Sequence, residues 1–148
     1  MATPQRGAHM TATLVQADLD IATRHRIIGR LKQDCGYGTL EAAEVLDGTL
    51  DFLRMAAATN GGFAPSEMID DGWHTFLLYT KEYAAFCEQL GRFVHHSPAD
   101  NPADNRVITP QMTVDYMIAN GIPFNEKLWQ IDPNSKRVCS RDCCSGGG

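Results

Sequence analysis

The chain has 148 residues, a formal net charge of −5 and 43% hydrophobic residues, which fits one ordinary globular domain with a buried core. The acidic balance argues against nucleic acid or an anionic membrane as the main partner, because both require a basic surface. We expect a protein or a small molecule instead. No apolar run approaches the roughly 20 residues of a membrane span, and the first ten residues lack the apolar core of a secretory signal.

The composition along the chain predicts three regions. Residues 1–10 are interpreted as a disordered leader or a vector-derived segment, residues 11–133 as a single helical domain, and residues 134–148 as a flexible tail rich in cysteine and glycine. The cysteine count is odd and no export signal is present, so we expect reduced thiols and a cytoplasmic protein.

Two helices are predicted in the first 60 residues. Apolar residues recur at helical spacing over 18–33, where Asp18 is a suitable N-cap and Gly36 a suitable stop. A second helix follows over 40–58 and is capped by Thr39.

The next stretch predicts a helical hairpin at the centre of the fold, over about 65–79 and 80–93. Pro65 suits the first turn of the first arm, and Thr80 can cap the second. A continuous helix over 66–93 is the alternative, because periodicity alone does not exclude it.

Thr109 followed by proline predicts a fifth helix that ends near Ala119. Residues 122–133 contain several turn formers and are expected to be irregular, with Trp129 packing back on the helices. The predicted fold class is therefore all-α, a small bundle of about five helices with an irregular C-terminal segment.

Asp70 and His74 are four residues apart and so share one face of a helix. A carboxylate beside a histidine can orient a general base, or the two can supply ligands to zinc or iron. A local ion pair without chemistry is the alternative.

His95 and His96 add to this pair if the chain reverses near Thr80. The reversal would bring one of them close to Asp70, whereas in one straight helix the 21 residues from His74 to His95 span about 31 Å. A site for a divalent metal made of Asp70, His74 and His95 or His96 therefore depends on the hairpin.

Other polar residues give weaker signals. Tyr83 and Cys87 would face the same interior and could support the ligands or act as ligands, and core packing is the alternative for both. The tail carries Cys139, Cys143 and Cys144, which could bind a soft metal or act in redox chemistry, although their spacing is not that of a zinc knuckle.

Three interpretations therefore compete. The first is metal binding through Asp70, His74 and His95 or His96. The second is a structural interaction module in which these residues form a buried hydrogen-bond network, and the third is a thiol-based metal or redox carrier that uses the tail. No residue is assigned a catalytic role, and the sequence leaves open whether the protein is an enzyme.

Three segments carry a family resemblance: Ile-Asp-Asp-Gly-Trp-His at 69–74, Thr-x-x-Tyr-x-x-x-Cys at 80–87, and Gly-Arg-Phe-Val-His-His-Ser-Pro at 91–98. Together they resemble the bacterial branch of the glycine-rich domain-containing protein family over about residues 40–100. The resemblance implies a largely uncharacterised helical protein without an assigned activity. It also implies a turn near Thr80.

Two features depart from that family's pattern. Many members have a second histidine two positions after the first, where this chain has Phe76, and the glycine-rich region is reduced here to three terminal residues. Plant relatives are linked to stress responses and RNA binding, but they carry additional segments.

Overall fold

The computed structural model describes residues 16–59, 62–97 and 108–131. In these residues the fold is all-α, as predicted. The helices are α1 (Ile21–Cys35), α2 (Thr39–Thr59), α3 (Glu67–Leu77), α4 (Thr80–Leu90) and α5 (Pro110–Ala119), followed by a 3₁₀ turn at Glu126–Trp129. None of the helices in these ranges combines the length and the apolar character needed to cross a membrane.

The longest helix, α2, lies at the centre and packs against α1, α3, α4 and the 3₁₀ turn. Its inward face is apolar, and Val45, Leu46, Leu50 and Leu53 are at most 1% exposed. Burial of these side chains stabilises the bundle by roughly 1.5–3 kcal/mol each relative to an exposed position.

The helical hairpin is present, and a continuous helix over 66–93 is excluded. The α3 helix ends at Leu77, and the backbone nitrogen of Tyr79 closes a turn by donating to the Phe76 carbonyl at 3.0 Å. Phe76 then packs on Tyr83 and Phe86 of the second arm, with ring centroids 5.0 and 5.5 Å away.

Several predicted helix ends were wrong by a few residues. The α1 cap is Asp20 rather than Asp18, and the Asp20 carboxylate accepts from the Thr23 nitrogen at 2.7 Å. Pro65 lies before α3 and not in its first turn, since Ser66 is the N-cap of that helix. Thr80 is the first residue of α4 and not its N-cap.

Helix α4 stops at Leu90 instead of continuing to residue 93. Gly91 adopts a left-handed conformation with φ of 81°, which ends the helix as glycine commonly does. The last three residues of the predicted arm therefore belong to the segment that follows the helix.

The C-terminal elements are attached to the start of α3 through side chains. Thr113 of α5 donates its hydroxyl to the Ala64 carbonyl at 2.8 Å and accepts from the Ala64 nitrogen at 3.0 Å. The Ser66 hydroxyl donates to the Leu128 carbonyl at 2.6 Å. Trp129 is 7% exposed and its ring centroid lies 6.0 Å from that of Phe52, so the predicted packing of this tryptophan is present.

A glycine allows α3 to approach α2 closely. A Cβ atom on Gly72 would overlap the Thr49 hydroxyl and lie 3.1 Å from Val45 Cγ1. Thr49 is fully buried and donates its hydroxyl to the Val45 carbonyl at 2.8 Å, so it has little room to move. Gly72 therefore holds the two helices at a separation that no larger residue permits.

We expect Gly72→Ala to destabilise the protein by about 1–3 kcal/mol, as overpacking of a core does, despite the better helix propensity of alanine. Gly29→Ala is the matched control, because a Cβ at this exposed helical glycine meets nothing within 4 Å. That control should be neutral or stabilising by up to about 1 kcal/mol.

Urea denaturation of both variants gives the comparison. The cost of Gly72→Ala should fall when Thr49 is replaced by alanine, because the overlapping hydroxyl is then absent. Equal stabilities of the Gly72 and Gly29 variants would show that the close approach does not limit the packing.

Candidate metal centre

Helix α3 presents Asp70 and His74 on the face opposite Gly72. Each of the two residues lies two positions from Gly72, which corresponds to about 200° around the helix. With Gly72 against α2, Asp70 and His74 point away from α2. The nearby N-terminus of α3, capped by the Ser66 hydroxyl, favours the negative charge of Asp70.

The segment after α4 brings His96 back to this face. The left-handed turn at Gly91 reverses the chain, and the Val94 carbonyl then accepts a hydrogen bond from the Tyr83 hydroxyl. The same Tyr83 oxygen accepts from Trp73 Nε1 at 3.0 Å. Tyr83 thus connects the returning segment to α3.

Both histidines converge on one carboxylate oxygen. The Oδ1 atom of Asp70 lies 3.2 Å from His74 Nε2 and 3.0 Å from His96 Nε2. One potential ligand atom from each of the three residues lies within 4.8 Å of the other two. Their side chains are 12–15% exposed, so the cluster is shielded from bulk solvent but not sealed.

Aromatic rings fix the orientation of the two imidazoles. The His96 ring packs edge-on against Trp73 with a centroid distance of 4.5 Å, and against His74 at 4.4 Å. Trp73 in turn lies 5.4 Å from Phe52 of α2. The position of His96 is therefore tied to the core, although no helix carries it.

His95 does not join the cluster. Its side chain is exposed, and its ring packs on Phe93 at 4.7 Å. Of the two histidines that the sequence offered, the structure places His96 beside Asp70. Cys139, Cys143 and Cys144, which the sequence suggests as metal ligands or redox groups, lie outside the described residues.

Tyr83 and Cys87 are buried behind the cluster rather than in it. Both are 1% exposed, and burial raises the pKa of the Tyr83 phenol, with a further contribution from Cys87. Neither belongs to the group of atoms that could hold an ion. Tyr83 acts on the cluster through the Trp73 ring and the Val94 backbone.

Replacement of Tyr83 by phenylalanine should cost about 1–3 kcal/mol, because it leaves the buried Trp73 N–H and the Val94 carbonyl without this partner. Tyr79→Phe is the control, since its hydroxyl makes a long bond of 3.3 Å to the Arg26 carbonyl at an exposed position. We expect that control to change the free energy of unfolding by less than about 0.5 kcal/mol. Equal losses in the two variants would contradict a role for the Tyr83 hydroxyl in holding the segment.

The sequence did not indicate a partner for Asp71, the carboxylate next to Asp70. Asp71 is 8% exposed and accepts a hydrogen bond of 2.7 Å from the Tyr37 hydroxyl. Tyr37 lies in the Gly-Tyr-Gly connection between α1 and α2, which the sequence marked only as a helix stop. Burial, followed by the hydrogen bond to Asp71, raises the pKa of Tyr37 well above its usual value.

The raised pKa of Tyr37 predicts a loss of stability at alkaline pH. The folded protein keeps this phenol protonated, whereas the unfolded chain ionises it above about pH 10. The unfolded state then binds fewer protons, so the free energy of unfolding falls as the pH rises past 10.

Urea denaturation between pH 9 and 11 measures this slope. Tyr37→Phe should make the decline shallower than in the wild type. An unchanged slope in Tyr37→Phe would show that the phenol is not responsible.

The comparisons with known proteins give a family for this chain. The family model described as UCP032817-like matches residues 24–113, which is more than half of the chain and includes every residue of the cluster. The protein belongs to the UCP032817-like family. Searches of the curated proteins and of the solved structures found no match.

This membership corrects the family predicted from the sequence. The assignment to the glycine-rich domain-containing family was wrong, because the matching family model is the UCP032817-like one. Phe76, which departed from the glycine-rich pattern, is fully buried among aromatic rings of the hairpin. In this UCP032817-like protein the position therefore serves packing.

Proposed function

We propose that this protein binds a divalent transition metal through Asp70, His74 and His96. The observation that carries the proposal is the convergence of both imidazole nitrogens on one oxygen of Asp70, at 3.2 and 3.0 Å. Carboxylate and imidazole are ligands that zinc and iron accept.

The distances from the Asp70 oxygen to the two histidine nitrogens suit a shared ion. A metal with bonds of about 2.1 Å and ligand angles between about 90° and 110° has ligand atoms roughly 3.0–3.4 Å apart. The two Asp70–histidine distances lie in this range. The ligand atoms of His74 and His96 lie within 4.8 Å of each other.

With two histidines and one carboxylate as ligands, a metal ion would have further coordination positions free for an external ligand. With zinc, the fourth position of a tetrahedron would hold water, whose pKa the ion lowers. The same ligand set on one face of an octahedron is typical of iron(II) sites that bind an external ligand. The partial exposure of the three side chains gives such a ligand access.

A hydrogen-bond network is the second candidate, and the same distances favour it. An N–H from each imidazole can donate to Asp70 at 3.0–3.2 Å, which satisfies the buried carboxylate without an ion. In that case the cluster would hold the returning segment against α3 and serve a structural interaction module.

Calorimetric titration with zinc and, under anaerobic conditions, with iron(II) separates the candidates. We expect one ion per chain, and a loss of affinity of at least tenfold in His74→Ala and in His96→Ala. His95→Ala is the matched control, because it removes the adjacent imidazole, which lies outside the cluster, and its affinity should stay within twofold of the wild type.

Thermal unfolding gives a second measurement. At a free metal concentration one hundred times the dissociation constant, a bound ion adds about 2.7 kcal/mol to the stability of the folded state. The His95 variant should show this increase, whereas the His96 variant should show at most about 1.4 kcal/mol at the same metal concentration, because its affinity is at least tenfold lower. If no ion binds and the cluster variants only lower the melting temperature, the network is correct.

Metal binding by the tail thiols is a separate proposal and requires a separate experiment. Replacement of Cys139, Cys143 and Cys144 by serine in the full chain removes them and leaves the helical cluster intact. Unchanged binding in this variant assigns the ion to the cluster. Binding that is lost only here would instead support the thiol-based carrier.

A further inference from the structure

A pocket of about 160 Å³ lies on the side of α2 that faces the C-terminal elements, away from the metal centre. Its walls are aromatic and sulfur-containing, and they include Phe52, Met55, Met117, Phe124 and Trp129. The volume is similar to that of apolar cavities of about 150 Å³ that hold a benzene ring. The pocket therefore has the size and the lining for one small ring.

The mouth of the pocket is acidic. Glu44, Asp47 and Asp51 occupy successive turns of α2 and line the same pocket as Phe52. Asp47 and Asp51 keep 60% and 68% of their side chains exposed, so they lie at the solvent end. No basic residue is among the residues that line the pocket in the described parts of the chain.

The cations that pair with these carboxylates stay outside the pocket. Arg24 binds Asp47, Arg54 binds Asp51 at 2.9 Å, and Lys127 binds Glu44 at 3.0 Å. Each of these contacts involves one carboxylate oxygen, and an ionised carboxylate can accept several hydrogen bonds. Exposed ion pairs are also weak, so a cationic ligand can share or replace them.

We propose that this pocket binds a small organic cation, an aromatic or aliphatic ring of benzene size that carries one ammonium group. The ring enters between Phe52, Trp129 and the two methionines, where burial and contacts with the thioethers favour it. The ammonium group stays at the mouth, where Asp47 and Asp51 accept its hydrogen bonds.

Three probes of nearly equal shape test the chemistry: 2-phenylethylammonium, neutral 2-phenylethanol and anionic phenylacetate. Because the chain has two tryptophans, Trp73→Phe leaves Trp129 as the only indole to report on the pocket. The titrations are done with a chelator present, so that their outcome does not depend on the metal centre.

We expect the ammonium probe to change the Trp129 emission and to bind at least tenfold more tightly than the alcohol, with phenylacetate the weakest. Saturation-transfer NMR with the wild-type protein repeats the comparison and covers the case in which the Trp73 variant does not fold. Equal affinity for ammonium and alcohol, a preference for phenylacetate, or no binding of any probe at millimolar concentration would each overturn the proposal.

A charge variant locates the ammonium group. Asp47→Asn combined with Asp51→Asn should lower the affinity for the ammonium probe by about tenfold and leave the affinity for the alcohol unchanged. Asp34→Asn is the matched control, because it removes an ion-paired aspartate of α1 that does not line the pocket. Loss of ammonium binding in this control to the same extent would show only a general charge effect and would contradict the pocket assignment.

Discussion

The close approach of α3 to α2 at Gly72 determines which way the candidate site residues on α3 face. Because Gly72 faces Thr49, the rotation of α3 about its own axis is set. The directions of its other side chains then follow from helix geometry. Asp70 and His74 then face the returning segment, whereas Asp71 meets Tyr37 from the α1–α2 connection. Two adjacent buried carboxylates thus acquire different partners because successive helical positions differ by about 100°.

The second constraint is the aromatic layer that continues from this helix through the core. Trp73 packs on Phe52, and Phe52 packs on Trp129, so rings connect the cluster around His96 with the pocket on the other side of α2. The Trp73 N–H is directed to Tyr83, which holds the Val94 backbone. Trp73 therefore has two roles, since its apolar body builds the core while its one polar atom positions the segment that carries His96.

Local features were predictable from the sequence, and contacts between distant residues were not. Thr109 caps α5 and Gly36 ends α1 because these residues act on the backbone of their own turn. The choice of His96 over His95 depends instead on the turn at Gly91 and on the bond from Tyr83 to Val94, which periodicity does not show. The Tyr37–Asp71 bond joins residues 34 positions apart, and no local pattern indicates it.

The same geometry is compatible with both the hydrogen-bond network and the proposed metal centre. Asp70 Oδ1 contacts both imidazole nitrogens, His96 through a hydrogen bond of 3.0 Å and His74 at 3.2 Å, and these separations also suit ligands of one ion. An ion bound here would take the place of the two contacts to Asp70, with each neutral imidazole carrying its proton on Nδ1, and would not have to gather three scattered side chains. Because the rings are already fixed by Trp73 and by each other, little conformational entropy remains to be lost on binding. A network that stabilises the metal-free fold is therefore the preorganisation that a metal site needs.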